Sequence, residues 1–572
     1  MEKSDNLLLK NTNEENSKKK FDKRNLLIIF ILIFIIIPII LIIYFTKNGK
    51  RPFPSDITID FNFSLINNNS QQNVLVYWNC SENFDLVSIK VIGLQNENIR
   101  IYNFKKTTEG EALVQIYYGI PKIHIYYEKG KYASDKYFAF NVPIDEICIA
   151  PLVASMPVTL LSFEVFNITK KYNCPIYVYL ERYLTWNWDS LPNNVYLIDF
   201  IDQKKFRNLD FMTIYYSFGQ WIAQLYKVNN NIKIHLFLND FHFQVFSLYI
   251  FSNNIPEKNY DLTLMSDGSA SYFYFNKYFD NNETYLANYE KMSIKWKNHK
   301  KLIWDLKKYN DKIDDSRFIK RDELCYYCYV VVKEEKNVFW WLTKIKGLFA
   351  PNNPKMLEEL LNNDHIVLKE INYLLSSLNE SEKFQMKQLF NFNENYFEEA
   401  VKSNKLIMVI AGTYQPEENN LYDYCRALKK FYGDEYFYYY KGHPHSPTEN
   451  YPDKQKELKK INVIPIDSSI PLEIIYFFNQ DIFFSGYYTS SFIEIKNDTL
   501  KGLLDQTKID NIYYNKFDFF AKYTSKDNSK YKKYLGGKDR IVIEINKDKL
   551  INFGYDFGIY IKDNNIINYY NY

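Results

Sequence analysis

An uncharged apolar run of 20 residues, 26–45, lies near the start of this 572-residue chain. A helix rises about 1.5 Å per residue, so a run of this length spans a hydrocarbon layer of about 30 Å. A cleaved secretory signal has a shorter apolar region followed by small residues at the cleavage site, and neither occurs here. The run therefore predicts one transmembrane helix that separates a short tail from a large body.

The basic residues around this helix predict its orientation. Five lie within eight residues before it and three within six residues after it, namely Lys18, Lys19, Lys20, Lys23 and Arg24, then Lys47, Lys50 and Arg51. Because an excess of basic residues marks the cytoplasmic side, the tail at 1–25 is expected in the cytoplasm. The body is then expected in the lumen of the Golgi or endoplasmic reticulum, or outside the cell. Sequons such as those at Asn62 and Asn379 agree with a type II glycoprotein.

Six cysteines permit disulfides in such a compartment without specifying their pairing: Cys80, Cys148, Cys174, Cys325, Cys328 and Cys425. Cys325 and Cys328 form a lone CxxC. Without a second pair or nearby histidines a zinc site is not expected, which leaves a local disulfide or two free thiols. The formal net charge of +3 gives no reason to expect nucleic acid as a partner.

The strand and helix patterns divide the body into domains. Short β-branched and aromatic runs predict an all-β domain of the immunoglobulin-like β-sandwich type. Apolar runs that alternate with amphipathic stretches then predict an α/β, GT-B-like pair of Rossmann-type domains. In chain order we expect a stalk at 46–56, the β-sandwich at 57–145, the first Rossmann-like domain at 146–403 with a mainly helical insertion at 283–402, the second at 404–515, and an extension of uncertain placement at 516–572.

Three polar segments follow predicted strands, at the edge where doubly wound sheets bind ligands. Asp267 leaves a strand just before Gly268, where its carboxylate can face a cleft, although Asp-Gly is also a common turn pair. His443 stands in Lys441-Gly442-His443-Pro444 and can protonate a leaving phosphate near neutral pH, or simply pack at a domain edge.

The third segment combines Glu473, which opens an amphipathic helix, with the hydroxyls of Ser490 and Ser491 at the entrance of another helix. Free N–H groups at a helix start, together with the positive end of the dipole, form an anion site. The alternative is ordinary N-capping by Ser or Thr.

In order and spacing these segments resemble the bacterial sialyltransferases of glycosyltransferase family 80. The family's Asp-Gly-Ser, Lys-Gly-His-Pro, Ile-Pro…Ser-x-Glu and Ser-Ser elements correspond to 266–269, 441–444, 464–473 and 489–491. Its other elements correspond to Ser155 in ASMP, Asn239 and His242 in NDFH, and Gly412-Thr413 after a strand. Two departures are Ser266 in place of a first acid and Tyr414 where the family has Trp. Some members also carry an immunoglobulin-like domain.

The resemblance implies a mechanism. Asp267 would be the base that activates the acceptor hydroxyl, and His443 would assist the departing CMP phosphate. The implied donor-binding residues are Ser155, Gly412, Thr413, Lys441, Gly442, Pro444, Glu473, Ser490 and Ser491, and the implied acceptor-binding residues are Asn239, His242 and Tyr414. The partners would be CMP-sialic acid and a glycan that ends in a galactose-type sugar.

No metal or other cofactor is expected, because the sequence contains no Asp-x-Asp motif of the kind that holds a cation in many glycosyltransferases.

Two alternative functions keep part of this interpretation. One is a glycosyltransferase of the same fold that uses another nucleotide sugar, and the other is a non-catalytic surface glycoprotein. The five polar residues Asp267, His443, Glu473, Ser490 and Ser491 favour an enzyme, since a scaffold has no need of all of them.

Overall fold

The computed structural model describes most of the body of the chain. The described residues are 50–68, 71–94, 96, 98–152, 154–180, 186–198, 211–241, 243–268, 275, 285–301, 324–343, 354–412, 418–444, 446–479, 481–487, 489, 491–495, 497–505, 519–524, 540–545, 559–562 and 565–569. None of the helices within these ranges is long and apolar enough to cross a membrane. The span predicted at 26–45 and the tail predicted at 1–25 lie outside the described residues.

Five described antiparallel strands build the N-terminal sheet: β1 Ile59–Asn68, β2 Gln71–Ile92, β3 Asn98–Gln115, β4 Lys122–Lys129 and β5 Tyr132–Ala139. The 22-residue strand β2 pairs with β3 along one edge and with β1 and then β4 along the other. The sequence predicted two sheets of an immunoglobulin-like sandwich, but these strands form one connected sheet. The reason is that β2 continues through the irregularity between Asn79 and Phe84 and pairs with β3 on both sides of it.

The described part of the predicted stalk packs against this sheet. Arg51 N donates to Lys131 O at 2.8 Å, and Arg51 O accepts from Ala133 N at 3.0 Å. The Phe53 ring lies 5.2 Å from Phe84 and 5.5 Å from Tyr127, centroid to centroid. Residues 50–56 therefore belong structurally to the β domain instead of forming a free spacer.

Seven parallel strands form the sheet of the first α/β half within the described residues: β6 Glu146–Leu152, β7 Ile176–Leu180, β8 Val195–Leu197, β9 Lys233–Asn239, β10 Tyr260–Met265, β11 Val338–Leu342 and β12 Ile366–Leu368. Their order is β12-β11-β10-β9-β6-β7-β8. This is the doubly wound order, in which the chain starts in the middle and builds outwards on both sides. Strands β6 and β9 are almost wholly buried, as expected for strands covered on both faces.

The sequence predicted a mainly helical insertion at 283–402, and the structure places two further strands of the sheet there. Strand β11 pairs with β10, and the three-residue β12 pairs with β11, both in parallel. The helical pattern around them is present. The described helices of the whole chain are α1 Ser155–Lys171, α2 Phe211–Val228, α3 Phe243–Ser252, α4 Tyr285–His299, α5 Leu324–Glu334, α6 Pro354–Leu361, α7 Ile371–Ser376, α8 Glu380–Leu389, α9 Glu398–Lys402, α10 Glu418–Tyr432, α11 Pro452–Lys460, α12 Leu472–Phe478 and α13 Ser491–Glu494.

The second α/β half has a sheet of nine described strands: β13 Leu406–Ala411, β14 Tyr436–Lys441, β15 Ile464–Ile466, β16 Ile482–Tyr487, β17 Leu500–Asp505, β18 Phe519–Thr524, β19 Arg540–Ile545, β20 Ile559–Lys562 and β21 Asn565–Tyr569. Their order is β15-β14-β13-β16-β17-β18-β19-β21-β20. Strands β13 to β18 are parallel, and the last three join antiparallel. The extension at 516–572 thus lengthens the second sheet.

A continuous hydrophobic core links the two α/β halves. Helix α7 contacts both α1 of the first half and α12 of the second. Its side chains Ile371, Leu374 and Leu375 are buried in a cluster that also holds Leu160 and Ile474. The β domain is attached to the first half through α2, because Trp221 Nε1 donates to Tyr118 O at 2.8 Å.

Candidate active site

The first cluster of candidate residues lies where the strand order of the first half changes direction. Strands β6 and β9 are neighbours, and the later strands build out from β9. Ligands of doubly wound sheets bind beyond the carboxyl ends of the strands at this point. Asn239 ends β9, Ser155 follows β6, and Asp267 follows the next strand, β10.

The Asn239 side chain fixes the Asp267 carboxylate. Asn239 Nδ2 donates to Asp267 Oδ1 at 2.7 Å, and Asn239 Oδ1 accepts from Phe241 N at 2.7 Å. Asn239 is 1% exposed, whereas Asp267 is only half-buried. A buried amide that is itself anchored therefore orients a carboxylate at the edge of the sheet. This is the support that a catalytic carboxylate needs in order to keep one orientation.

Asp240 belongs to the same cluster, although sequence reasoning gave it no role. It is completely buried, and its Oδ1 accepts from Asp267 N at 3.1 Å. Its Oδ2 accepts from Trp340 Nε1 at 3.2 Å, and its carbonyl accepts from Cys328 Sγ at 3.2 Å. Asp240 thus fixes the backbone at Asp267. The feature of the sequence that could have identified Asp240 is its position, because it is an acidic residue directly after a buried strand.

The state of Cys328 excludes the local disulfide between Cys325 and Cys328 that the sequence left open. Cys328 is a buried free thiol, and burial raises its pKa well above the ordinary thiol value. Two other cysteines, Cys148 on β6 and Cys174 before β7, lie with their Sγ atoms 3.6 Å apart and are also free. The described part of the chain contains no cluster of side chains able to hold a metal ion.

The backbone at the start of α1 is strained. Ala154, the residue before Ser155, has φ 74° and ψ 160°, a region that glycine enters readily and other residues rarely. Ser155 O accepts from Thr159 Oγ1 at 2.9 Å, within the first turn of the helix. Ser155 is thus held at the direction change of the sheet. The acceptor-side candidate His242 lies outside the described residues.

The second cluster occupies the corresponding point of the second half. Strands β13 and β16 are neighbours there, with β14 and β15 on one side and β17 and β18 on the other. Gly412 follows β13, and Ser491 begins α13 shortly after β16. The candidates Thr413, Tyr414 and Ser490 lie outside the described residues.

Two glycines are required by close approaches around these strand ends. A Cβ on Gly442 would lie 2.3 Å from Thr448 Oγ1 and 2.4 Å from Ser468 Oγ. Gly486 has φ 110°, and a Cβ there would lie 2.4 Å from Ala411 O. A side chain at either position would push the strand ends apart.

Lys441 connects two loops of this cluster by hydrogen bonds. Its Nζ donates to Gly442 O at 3.1 Å and to Ser468 O at 3.2 Å, and the residue is 5% exposed. Burial lowers the pKa of Lys441 from 10.5 to about 8, and the nearby Glu473, Asp467 and Glu449 oppose this shift. The Lys441 side chain therefore links the Gly442 carbonyl, just before His443, to the loop that follows β15.

The depressed pKa predicts how stability changes with pH. Between about pH 8 and 10.5 the unfolded chain retains a proton on Lys441 that the folded chain has released. Stability therefore rises with pH across this window, by up to about 3 kcal/mol for a shift of this size. Lys441→Met lacks this contribution, so urea unfolding should show wild type gaining about 3 kcal/mol on the variant between pH 7.5 and 10.5. Parallel pH profiles of the two proteins would contradict this assignment.

Glu473 and Ser491 form a buried pair next to Lys441. Ser491 Oγ donates to Glu473 Oε1 at 2.6 Å, and both residues are 4% exposed. Burial raises the pKa of Glu473, while the Ser491 hydroxyl and the Lys441 charge oppose that shift. Thr489 Oγ1 accepts from Ser491 N at 3.4 Å, which completes a polar group beneath the start of α13.

His443 and Pro444 follow shortly after the end of β14 at Lys441. His443 is half-buried, and its carbonyl accepts from Ser446 N at 2.8 Å, while Pro444 is buried. The structure therefore brings together Lys441, Gly442, Glu473 and Ser491 on the second sheet, with His443 next to Gly442 in the chain, and Asn239, Asp240 and Asp267 on the first. Each group lies at the carboxyl edge of its own sheet, which is where nucleotide and sugar ligands bind in such folds.

A family comparison decides the assignment. A model of the alpha-2,8-polysialyltransferase family (POLYST) matches residues 114–496, well over half of the chain. The chain belongs to the alpha-2,8-polysialyltransferase family. The match covers both clusters, and it confirms the sequence-based prediction of a sialyltransferase family. This member of the family is a glycosyltransferase enzyme.

Several solved structures of bacterial sialyltransferases are similar to this family member. The 2,6-sialyltransferase of Photobacterium sp. JT-ISH-224, crystallised with CMP and lactose, is 13% identical with a TM-score of 0.49, and the match covers 82% of this chain and 89% of that one. An α/β-galactoside α-2,3-sialyltransferase of Photobacterium phosphoreum is 16% identical with a TM-score of 0.48, covering 65% and 95%. A Photobacterium damsela sialyltransferase is 12% identical with a TM-score of 0.43, covering 74% and 88%. No curated protein matches the sequence.

Proposed function

We propose that this chain is a membrane-anchored, inverting sialyltransferase that moves sialic acid from CMP-sialic acid to a glycan hydroxyl without a metal ion. The observation that carries the proposal is the family match at 114–496, which includes both polar clusters. The two doubly wound halves would form a GT-B-like pair that faces a shared cleft. The predicted helix at 26–45 would anchor the enzyme as a type II protein, with its body in the Golgi or endoplasmic reticulum lumen or outside the cell.

Asp267 would act as the general base. The acceptor hydroxyl gives its proton to the Asp267 carboxylate as its oxygen attacks the anomeric carbon of sialic acid. The bond between that carbon and the phosphate oxygen of CMP breaks, and its electron pair stays on the phosphate. His443 would protonate or hydrogen-bond that phosphate as it leaves. Base and acid on opposite faces of the sugar produce inversion.

The second cluster would hold the CMP part of the donor. Glu473 would accept hydrogen bonds from the ribose hydroxyls, and the hydroxyls of Ser490 and Ser491 would bind the phosphate. The backbone around Gly442 and Pro444, supported by the Lys441 ammonium, would contact the cytosine. Gly412, Thr413 and Ser155 would line the rest of the donor site.

No cation is needed in this scheme, because His443 and the hydroxyls offset the negative charge that develops on the phosphate. Buried donors that are already oriented stabilise such charge without rearranging during the reaction. Ser491 Oγ donates to Glu473 at 2.6 Å in the free chain, so this hydroxyl would turn to the phosphate when the donor binds, before the transfer step.

The family name supports a particular acceptor. An alpha-2,8-polysialyltransferase extends a chain of sialic acids, so the acceptor we favour is a glycan that ends in sialic acid. The acceptor predicted from the sequence, a galactose-type terminal sugar, is the second candidate. Tyr414, His242 and Asn239 would line the acceptor side, with Asn239 also holding Asp267.

A donor panel tests the proposal. The full-length chain in detergent is incubated with CMP-sialic acid, UDP-sugars and GDP-sugars, with EDTA present and absent, and with glycans ending in sialic acid or galactose. We expect CMP release and sialylated product from CMP-sialic acid alone, undiminished by EDTA. Selective turnover of a UDP- or GDP-sugar would favour the alternative glycosyltransferase, and no turnover of any donor would favour the non-catalytic glycoprotein.

A further inference from the structure

A cavity outside both clusters opens on one face of the N-terminal sheet. It has a volume of about 460 Å³ and is lined by Lys90, Ile92, Asn96, Asn98, Lys122, His124 and Tyr137. Ligand pockets commonly measure about 300–1,000 Å³. The cavity therefore has the size of a binding site for one or a few sugar units.

The strand register places these side chains in two rows across the sheet. Lys90 lies opposite His124 on β4, and His124 lies opposite Tyr137 on β5. In the next row, Ile92 lies opposite Lys122. Residues two apart on a strand point to the same face, so all five share one surface. The site is thus built on paired strands.

The cavity lining contains two lysines, and the Asp135 carboxylate beside it is bonded to His124. Neither Lys90 nor Lys122 forms an ion pair within the described part of the chain, and none of the described lining residues is acidic. The two lysines are diagonal neighbours on adjacent strands, with Cα atoms about 7–8 Å apart. Two unpaired ammonium groups at this spacing favour a ligand with more than one negative charge.

An aromatic platform stands beside the lysines. Tyr137 is 66% exposed, and its ring stacks on His124 with centroids 4.3 Å apart and an interplanar angle of 8°. His124 Nε2 lies 3.0 Å from Asp135 Oδ2, which holds the imidazole in place. An exposed aromatic ring in a fixed orientation is suited to pack against the apolar face of a sugar, with its hydroxyl left free to hydrogen-bond.

We propose that this cavity binds an acidic glycan, a carbohydrate chain that carries a carboxylate on successive sugars. Lys90 and Lys122 pair with the carboxylates, Tyr137 packs against a sugar ring, and the Asn96 and Asn98 amides bind hydroxyl groups. In the polysialyltransferase proposed above, the acidic glycan is the growing sialic acid chain. The identification of the sugar as sialic acid rests on that proposed function, whereas the preference for an acidic glycan rests on the cavity alone.

Occupation of this cavity would keep the product attached between rounds of transfer. A chain held at a second site returns to the active site at a high effective concentration. The β domain is tied to the first α/β half through Trp221 and Gln224, whose Oε1 accepts from Ile120 N at 3.3 Å. The cavity therefore belongs to a module that is attached to the catalytic body by side-chain contacts and not by the chain alone.

Binding of an α-2,8-linked sialic acid oligomer to the full-length chain tests the proposal. The probe is a fluorescent hexamer, and the readout is anisotropy at two salt concentrations. Lys90→Ala/Lys122→Ala should weaken binding at least tenfold, and Tyr137→Ser should weaken it severalfold. The matched control is Lys105→Ala/Lys227→Ala, which removes two exposed lysines outside the cavity and should bind as wild type does.

Several outcomes would overturn the proposal. These are equal affinity of wild type and the Lys90/Lys122 variant, equal loss in the control, or equal binding of a neutral oligosaccharide or of an oligonucleotide of the same charge. A second readout separates this proposal from the proposed function. The Lys90/Lys122 variant should transfer the first sialic acid to a short acceptor at the wild-type rate but make shorter chains. If wild type transfers nothing yet binds the hexamer through the lysines, only the proposed function has failed.

Discussion

Asp267→Asn lowers the rate of sialic acid transfer by about 10²- to 10⁴-fold, the loss expected when a general base is removed. The substitution keeps an oxygen that can accept from Asn239 Nδ2, and it leaves the backbone bond to Asp240 in place. The turn after β10 should therefore persist while the base is lost. The measurement is the initial rate of product formation at saturating CMP-sialic acid, together with thermal unfolding to show that the variant is folded.

The matched control for Asp267→Asn is Asp364→Asn. Asp364 is an exposed residue just before β12, at the opposite edge of the same sheet. The same chemical change there should leave transfer at the wild-type rate. A folded Asp267→Asn variant that transfers as fast as the control would remove Asp267 from the mechanism.

His443→Gln lowers transfer by about 10²-fold or more, because glutamine can donate a hydrogen bond but cannot release a proton to the departing phosphate. The pH profile should change as well. A group that acts in its protonated form produces a fall in kcat at alkaline pH, and this limb should disappear in the variant. The measurement is kcat from pH 5 to 9 at saturating donor.

A histidine elsewhere provides the control for His443→Gln. His365 stacks on Phe339 at the amino-terminal end of the first sheet and bonds to Val338 O, far along the strands from the candidate residues. His365→Gln should leave the shape of the pH profile unchanged. An alkaline limb that survives His443→Gln would assign the protonated group to another residue.

The sequence predicted the strand ends well, and therefore the positions from which Asp267 and His443 project. Apolar runs such as those of β10 and β14 are followed by a polar turn, and the structure ends the strands there. In a parallel sheet all strand ends of one kind share an edge, so the order along the chain was enough to group the candidates.

The support beneath the candidates could not be predicted in the same way. Asp240 accepts hydrogen bonds from Trp340 and Cys328, which come from β11 and α5 and lie about a hundred residues later in the chain. Nothing local in the sequence links these three residues. The same is true of Lys441, whose buried position depends on the loop that carries Ser468. Such contacts exist only after the sheet has formed.

Errors in the fold prediction have two physical sources. The strand β12 has three residues, and its short apolar run lies between helical patterns, so periodicity could not identify it. In the β domain the opposite happened: β2 runs for 22 residues through polar positions that resemble a turn. Pairing with β3 on both sides of the irregularity between Asn79 and Phe84 overrides that local preference.

The central claim is that a carboxylate from the first sheet and an imidazole from the second assist the same bond cleavage. A double-mutant cycle on transfer rate, with Asp267→Asn, His443→Gln and both together, tests it most directly. Groups that act on one transition state are strongly non-additive, so the double variant should be only slightly slower than the worse single variant. A double variant whose loss equals the product of the two single losses would show that the residues act independently, and the account would be wrong.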